Sequence, residues 1–361
     1  MSVQSEFNVW CKWDPLQSVI VGNAVNQDFF EHVANKEIKD KLTKMLIETQ
    51  EDLDHLSDTL EKLDVTVSRQ SIDLSDRLDP DKPANRHQCI QMQPRDEWMV
   101  LGNNFVGTQI GQQNGKYSIF SSIAKQNYTA WQELCQIPEF LIVPCSWTIV
   151  GKDLFIDLWD VWNSISNNYP DRDKHTTTEY FKSKVGTWID KWLPGMIVHW
   201  IEVGGHNDAC FHTCKPGVII SIDDVIDYSR SFPNWDVLYI PPEHSANSIS
   251  EFEKAKEYTS GKYWIPGESD NKELLSYVNT WLDSWVGFVQ ETVFDVNVLM
   301  VNDHTVLVSN YNKLVFDYFK KHRIDPIITP LRHRYFWDGG IHCCTLDLYR
   351  KGTCEKYIDY K

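Results

Sequence analysis

A chain of 361 residues that is 42% apolar and 13% aromatic holds too much core-forming material to be disordered, and its 15 Trp call for a large packed interior or aromatic-walled pockets. Lys and Arg number 35 against 51 Asp and Glu, a formal net charge of −16, and without a basic block no nucleic-acid partner is expected. The longest apolar runs, 140–143 and 197–200, fall far short of a membrane span, the first six residues lack a secretory apolar core, and nine Cys, an odd number, fit reduced thiols and a cytoplasmic location better than a disulfide framework.

In chain order, Ser18–Gly22 reads as a β-branched strand closed by a glycine. Ile38, Leu42, Met45, Leu46, Thr49, Leu53, Leu56 and Leu60 share one face at a 3.6 period, which predicts an amphipathic helix over 36–62. Strands follow at 65–67 and 98–101, with a polar surface loop at 71–86 between them and a second at 167–178. A helix capped by Thr178 is expected to end at Pro194-Gly195. Runs 196–203, 217–222 and 237–240 read as strands, and 271–285 as a helix. A hairpin is expected over 296–309, a helix over 312–322 and a strand over 327–329. Hairpin, helix and strand at 296–329 make β-β-α-β. Similar orders at 18–67 and 197–240, the latter with a short helix at 223–229, suggest one unit repeated around an axis.

Three segments carry chemistry. Gly339-Gly340-Ile341-His342-Cys343-Cys344 places two thiols at the start of a strand, behind glycines that would let backbone approach a ligand. A thiolate nucleophile suits such a strand end, although two buried thiols in a tight turn explain the pattern as simply. In Gly204-Gly205-His206-Asn207-Asp208-Ala209-Cys210-Phe211-His212-Thr213-Cys214, an extended backbone would set His206, Asp208, Cys210, His212 and Cys214 on one face. That gives either a general acid/base pair, His206 with Asp208, or a zinc set of His206, Cys210, His212 and Cys214. An extended strand spreads those four over more than ~20 Å at about 3.3 Å per residue, so no metal is expected. The third segment, Pro94-Arg95-Asp96, could present a carboxylate at a strand entry.

Trp13-Asp14-Pro15-Leu16, Pro94-Arg95-Asp96, Gly151-Lys152-Asp153, His206-x-Asp208, Pro216-Gly217-Val218-Ile219-Ile220-Ser221, Asn297-Val298-Leu299-Met300 and Gly339-Gly340-Ile341-His342-Cys343 come in the order in which they occur in the glycine amidinotransferases of the pentein superfamily. The chain resembles that family along nearly its whole length. The resemblance implies one domain over 1–361, an α/β-propeller of five ββαβ modules with pseudo-fivefold symmetry and a central site. It implies Cys343 as nucleophile, His206 as general acid/base, and Asp96 and Asp208 as carboxylates that hold a guanidinium. It implies no cofactor. The expected partners are small guanidino and amine substrates, with no nucleic acid and no membrane, and a homodimer is compatible with the sequence.

Three positions depart from the family pattern. Ser146 stands where the family carries an acid, Val225 at or near the arginine that pairs with a substrate carboxylate, and Tyr335-Phe336-Trp337 where small polar residues precede the nucleophile. Ser146 is then expected at the substrate. Either another cation, Arg332 or Arg334, replaces the missing one, or the substrate has no carboxylate there, the option favoured by the aromatic run, which is expected to narrow and dry the pocket. The resemblance implies an amidinotransferase. A guanidino hydrolase of the arginine deiminase kind and a non-catalytic binding protein on the same scaffold are the alternatives.

Overall fold

The computed structural model describes residues 6–69, 92–107, 130, 133–134, 137, 142–168, 171–222, 228–241, 265, 267–268, 270–281, 293–337 and 339–360. Strand β1 (Leu16–Val21) runs into helix α1 (Lys36–Lys62), and β2 (Thr66–Arg69) returns parallel to β1. The helix forms where its 3.6 period lies. The Asn35 side chain accepts from the N–H groups of Glu37 and Ile38 at its start, and the apolar face is buried. The hairpin β3 (Trp98–Leu101) and β4 (Asn104–Gly107) comes next. The hairpin β5 (Trp147–Val150) and β6 (Asp153–Asp157) follows, with helices α2 (Trp159–Asn168) and α3 (Lys174–Trp192) leading to β7 (Ile197–Ile201), parallel to β6. A single helical turn, α4 (Asn207–Cys210), opens into the hairpin β8 (Phe211–Lys215) and β9 (Val218–Ile222), with β10 (Asp236–Ile240) parallel to β9. Helix α5 (Lys272–Trp281) and the short turn α6 (Val293–Val296) precede β11 (Leu299–Asn302) and β12 (Thr305–Val308). Helix α7 (Lys313–Lys321) then leads to β13 (Asp325–Ile328), parallel to β12. Finally β14 (Thr345–Arg350) pairs antiparallel with β1, Val21 opposite Thr345.

These strands make five small sheets, as five ββαβ modules require. Four show an antiparallel pair plus a third strand parallel to one of its members, and in three of them that pair is a hairpin. The β3–β4 sheet has two described strands. The first module is built from both ends of the chain, so β14 closes the ring. Three apolar clusters fill the spaces between sheets and outer helices. The inner ends of the modules carry buried polar side chains instead, among them Asp157, Asn207, Asp208, Asn297, His342 and Asp347.

Several sequence expectations change. The strand at 197–201 closes the third module rather than opening the fourth, and residues 223–227 of the expected short helix lie outside the described residues. Helix α3 starts four residues before Thr178. Asp173 caps it by accepting from the Thr176 N–H, while the Thr178 hydroxyl donates back to the Lys174 carbonyl. Residues 206–214 are not one strand, because Asn207–Cys210 is helical. The 71–86 loop and residues 282–285 lie outside the described residues.

Candidate functional site

Cys343 lies in a turn just before β14, not on the strand itself. Asn297, immediately after α6, holds it twice: the Cys343 N–H donates to Asn297 Oδ1 at 3.1 Å, and Asn297 Nδ2 donates to Cys343 Sγ at 3.1 Å. The same amide also reaches the Asp208 carbonyl at 3.1 Å. This close seating explains Gly340. A Cβ there would stand 2.6 Å from Asn297 Oδ1 and 2.8 Å from its carbonyl oxygen. A Cβ on Gly339 would meet Gln93 Nε2 at 2.4 Å. The two glycines therefore make room for protein side chains, not for a ligand.

Asp208 sits on α4 with its carboxylate against Cys343. Its Oδ2 accepts from His342 Nδ1 at 2.8 Å and lies 3.6 Å from Cys343 Sγ. Its Oδ1 has no hydrogen-bond partner among the described residues. Burial raises the Asp208 pKa, while His206, Lys12 and Arg95 oppose the rise. Burial holds His342 neutral, with its pKa well below the usual imidazole range. Burial, then the charges of Asp208 and Asp96, push the Cys343 thiol well above its usual value, and the Asn297 hydrogen bond works the other way. The resting site thus keeps Cys343 as a thiol.

Three separate segments converge on the other side. Asp96 ends the turn Pro94–Asp96, which packs against the turn Pro144–Ser146. His206 precedes α4. Ligand-type atoms of Asp96, Cys145 and His206 all lie within 4.8 Å of one another. The loop before His206 is pinned by Asp157, which accepts from the N–H groups of Trp159, Val203 and Gly205 at 3.0, 3.2 and 3.0 Å. Gly204 and Gly205 there have φ of 95° and 141°, a conformation that favours glycine. Asn207 fixes the next residue by donating to the Ser146 carbonyl at 2.8 Å.

Beneath Asp208 and His342 lies a cavity of about 30 Å³, also lined by Lys12, Arg95, Asp347 and Trp147. That is room for a water or two. Arg95 is fastened to Asp347 at 3.1 Å and to the carbonyls of His342 and Thr345. Lys12 Nζ meets no hydrogen-bond partner among the described residues. Burial draws the Lys12 pKa down to about 8, against the pull of Asp208 and Asp347.

No family model matches the chain. The chain is 24% identical to "Glycine amidinotransferase, mitochondrial" of Danio rerio, over 96% of its own length and 83% of the relative's. It is 22% identical to "Inosamine-phosphate amidinotransferase 1" of Streptomyces glaucescens, over 99% of each. Among solved structures it superposes on an inosamine-phosphate amidinotransferase of Streptomyces griseus with a TM-score of 0.63 at 18% identity, over 99% of this chain and 100% of that one. An amidinotransferase of the saxitoxin biosynthetic pathway of Microseira wollei gives a TM-score of 0.61 at 18% identity, over 98% and 100%. The chain has the pentein fold and resembles the amidinotransferases over its whole length.

In the pentein ring, Cys343, Asp208, His206 and Asp96 come together at the inner ends of the modules. Ser146 lies in the turn beside Asp96, where its backbone carbonyl receives Asn207. Arg332 does not face Cys343. Its backbone N–H and Nε bind Asp52 and its Nη2 binds Glu51, both on α1, because that acidic helix edge offers a nearer counter-charge than the ring centre. The expectation that Arg332 replaces the missing cation is therefore corrected, and Val225 lies outside the described residues. The aromatic run is also corrected. Phe336 and Trp337 pack into the core under α1, with Trp337 Nε1 donating to Thr49, and Tyr335 packs edge-on to Phe294. Cys210, His212 and Cys214 do not join His206 in any converging ligand group among the described residues. The helical turn at 207–210 breaks the alternation on which that set depended.

Sequence reasoning missed Asn297, Asp157, Lys12 and Cys145 as parts of the site. Asn297 stood in one of the matching segments, yet nothing marks it in one dimension. The Asp157 signal was available: an acid at a strand end, answered by a Gly-Gly pair that needs an N–H acceptor.

Proposed function

We propose that the protein transfers an amidino group from an arginine-like guanidino donor to a primary amine through a covalent amidino intermediate on Cys343. The observation that carries this reading is the contact of Cys343 Sγ with Asn297 and Asp208, with Asp96 and His206 close by. A guanidinium presents paired N–H donors to carboxylates, and Asp96 and Asp208 would receive it. Its positive charge offsets the two carboxylates that hold the Cys343 proton in place, so donor binding favours the thiolate. The Cys343 proton passes to His206, Sγ bonds to the guanidino carbon, and the C–N bond to the leaving amine breaks as His206 returns the proton to that amine. The acceptor amine then attacks the amidino carbon and gives a proton to His206. The C–S bond breaks and the Cys343 proton is restored.

The reading treats residues 1–361 as one catalytic domain acting on small molecules. The odd cysteine count supports a reducing, cytoplasmic setting, and a homodimer is the assembly proposed with it. Among the described residues no helix is long and apolar enough to cross a membrane.

The test is the intact mass of the protein after incubation with arginine. A gain of one amidino group, mapped to Cys343 and lost in Cys343→Ser, is expected. Ornithine should appear together with an amidinated acceptor. Release of citrulline or ammonia in its place would make the protein a hydrolase, and no adduct with any guanidino donor would remove the catalytic reading.

A further inference from the structure

We propose that Asp96, Cys145 and His206 form a zinc site that overlaps the guanidino pocket, so that zinc and donor exclude each other. The three side chains offer one oxygen, one sulfur and one nitrogen, all within 4.8 Å of one another. That is a typical zinc donor set, with bonds of about 2.3 Å to sulfur and about 2.0–2.2 Å to nitrogen and oxygen. Two donors at those bond lengths on a tetrahedral ion stand roughly 3.3–3.7 Å apart. Side-chain rotations that bring the atoms together by about an ångström therefore close the set. A fourth position is left for water or another ligand. Calcium and magnesium are the wrong ions, since they take six or more oxygens, and a buried thiolate selects a softer metal.

The backbone supports the set from three directions. Asp96 N–H donates to the Gln93 carbonyl at 3.1 Å, and Ser146 N–H, next to Cys145, donates to the Val143 carbonyl at 3.0 Å. The loop before His206 hangs on Asp157. Cys145 is buried and Asp96 and His206 are half-buried, which leaves an approach from the pocket side. Zinc would displace the Cys145 proton and bind thiolate.

The exclusion half rests on the amidino-transfer reading, because Asp96 and His206 serve both ligands. The metal half does not, and it is tested without substrate. The chelator-treated full chain is titrated with cobalt(II) and then zinc. Expected are tetrahedral cobalt bands with a thiolate-to-metal charge-transfer band, both removed by one equivalent of zinc. Cys145→Ala should remove the charge-transfer band and weaken zinc by roughly 100-fold or more, beyond the roughly 10–100-fold cost of losing an outer-shell partner. Cys343→Ala should keep the band. If Cys145→Ala does not fold, Asp96→Asn and His206→Ala must each weaken zinc by a similar factor. Absence of the charge-transfer band, or its loss in Cys343→Ala and not in Cys145→Ala, overturns the site. In a second arm, arginine should raise the apparent zinc Kd in proportion to its concentration. Zinc binding that fails to respond to any guanidino donor refutes the exclusion and counts against the amidino-transfer reading, while the metal site stands.

Discussion

Lys12 is the residue whose surroundings fit least with stability and most with function. Its ammonium is buried, has no partner among the described residues, and faces the cavity under Asp208. The folded pKa of about 8 lies below its ordinary 10.5. Between those values the unfolded chain holds the proton and the folded chain does not, so this group makes stability rise with pH from about 8 to about 10.5. Below 8 the folded protein carries the full cost of a buried charge, on the order of 3 kcal/mol. Lys12→Met should therefore be more stable than the parent at pH 7, with the gap closing as pH approaches 10. Urea unfolding of both proteins at several pH values checks this, and comparing the pair cancels the buried thiols, which titrate in the same range. The same variant should bind the donor more weakly on the acid side, because Asp208 loses a cation that favours its ionised form. A constant stability gap across that pH range would mean that Lys12 keeps its ordinary pKa, and its proton, in the fold.

Asn297 and Gly340 act as one unit. Asn297→Ala leaves the Cys343 N–H and the Asp208 carbonyl without their partner, at roughly 1–3 kcal/mol for each buried group. A melting temperature lowered by several degrees and a large loss of kcat are expected. Gly340→Ala should produce the same two effects by pushing Asn297 away. A fully active Gly340→Ala protein would show that Cys343 does not depend on this seat.

At the scale of elements, the Asp157 carboxylate at the end of β6 positions His206 without touching the reacting atoms. Asp157→Ala should cut kcat/KM at least roughly tenfold, the lower end of what misplacing a catalytic group costs. The alkylation rate of Cys343 should stay unchanged, because the thiol is held from β14 and α6. Loss of both together would mean general unfolding instead. The contrast in legibility between elements has a physical cause. Helix α1 was readable to the residue, since seven apolar side chains and Thr49 over 23 positions settle a 3.6 period. Residues 207–210 were not. Four residues are too few to show a period, and Asn207 is fixed by the Ser146 carbonyl, 61 positions away in sequence. The hairpin at 147–157 was known only as a short motif because both its strands are buried on every side and show no alternation.

At the scale of the molecule, the ring determines what the site can hold. Residues 96, 145, 206, 208, 297 and 343 belong to different modules or their connections. They meet because β14 pairs with β1 and brings the last turn back to the first module. A motif match could therefore name Cys343, His206, Asp208 and Asp96, but not Cys145 or Lys12, whose proximity is a product of closure alone. Closure also bears on the donor's far end. Arg332 is committed to Asp52 and Glu51, Arg334 stacks on Tyr335 and Phe294, Arg95 is tied to Asp347, and Lys12 lies on the floor beneath Asp208. Among these described cations, Arg332, Arg334 or Arg95 would have to leave its partner to clamp a donor carboxylate, and a charged hydrogen bond is worth roughly 1.5–3 kcal/mol. Arginine and its decarboxylated analogue agmatine should thus serve as donors with kcat/KM values within about tenfold of each other, roughly 1.4 kcal/mol. Arg332→Ala should leave that ratio unchanged and lower stability by about 1 kcal/mol or less, as an exposed ion-pair network does. A preference for arginine above roughly 100-fold, about 2.7 kcal/mol, would require a cation at the pocket mouth. Its loss in Arg332→Ala would place that cation on the loop before the nucleophile, against the geometry described here.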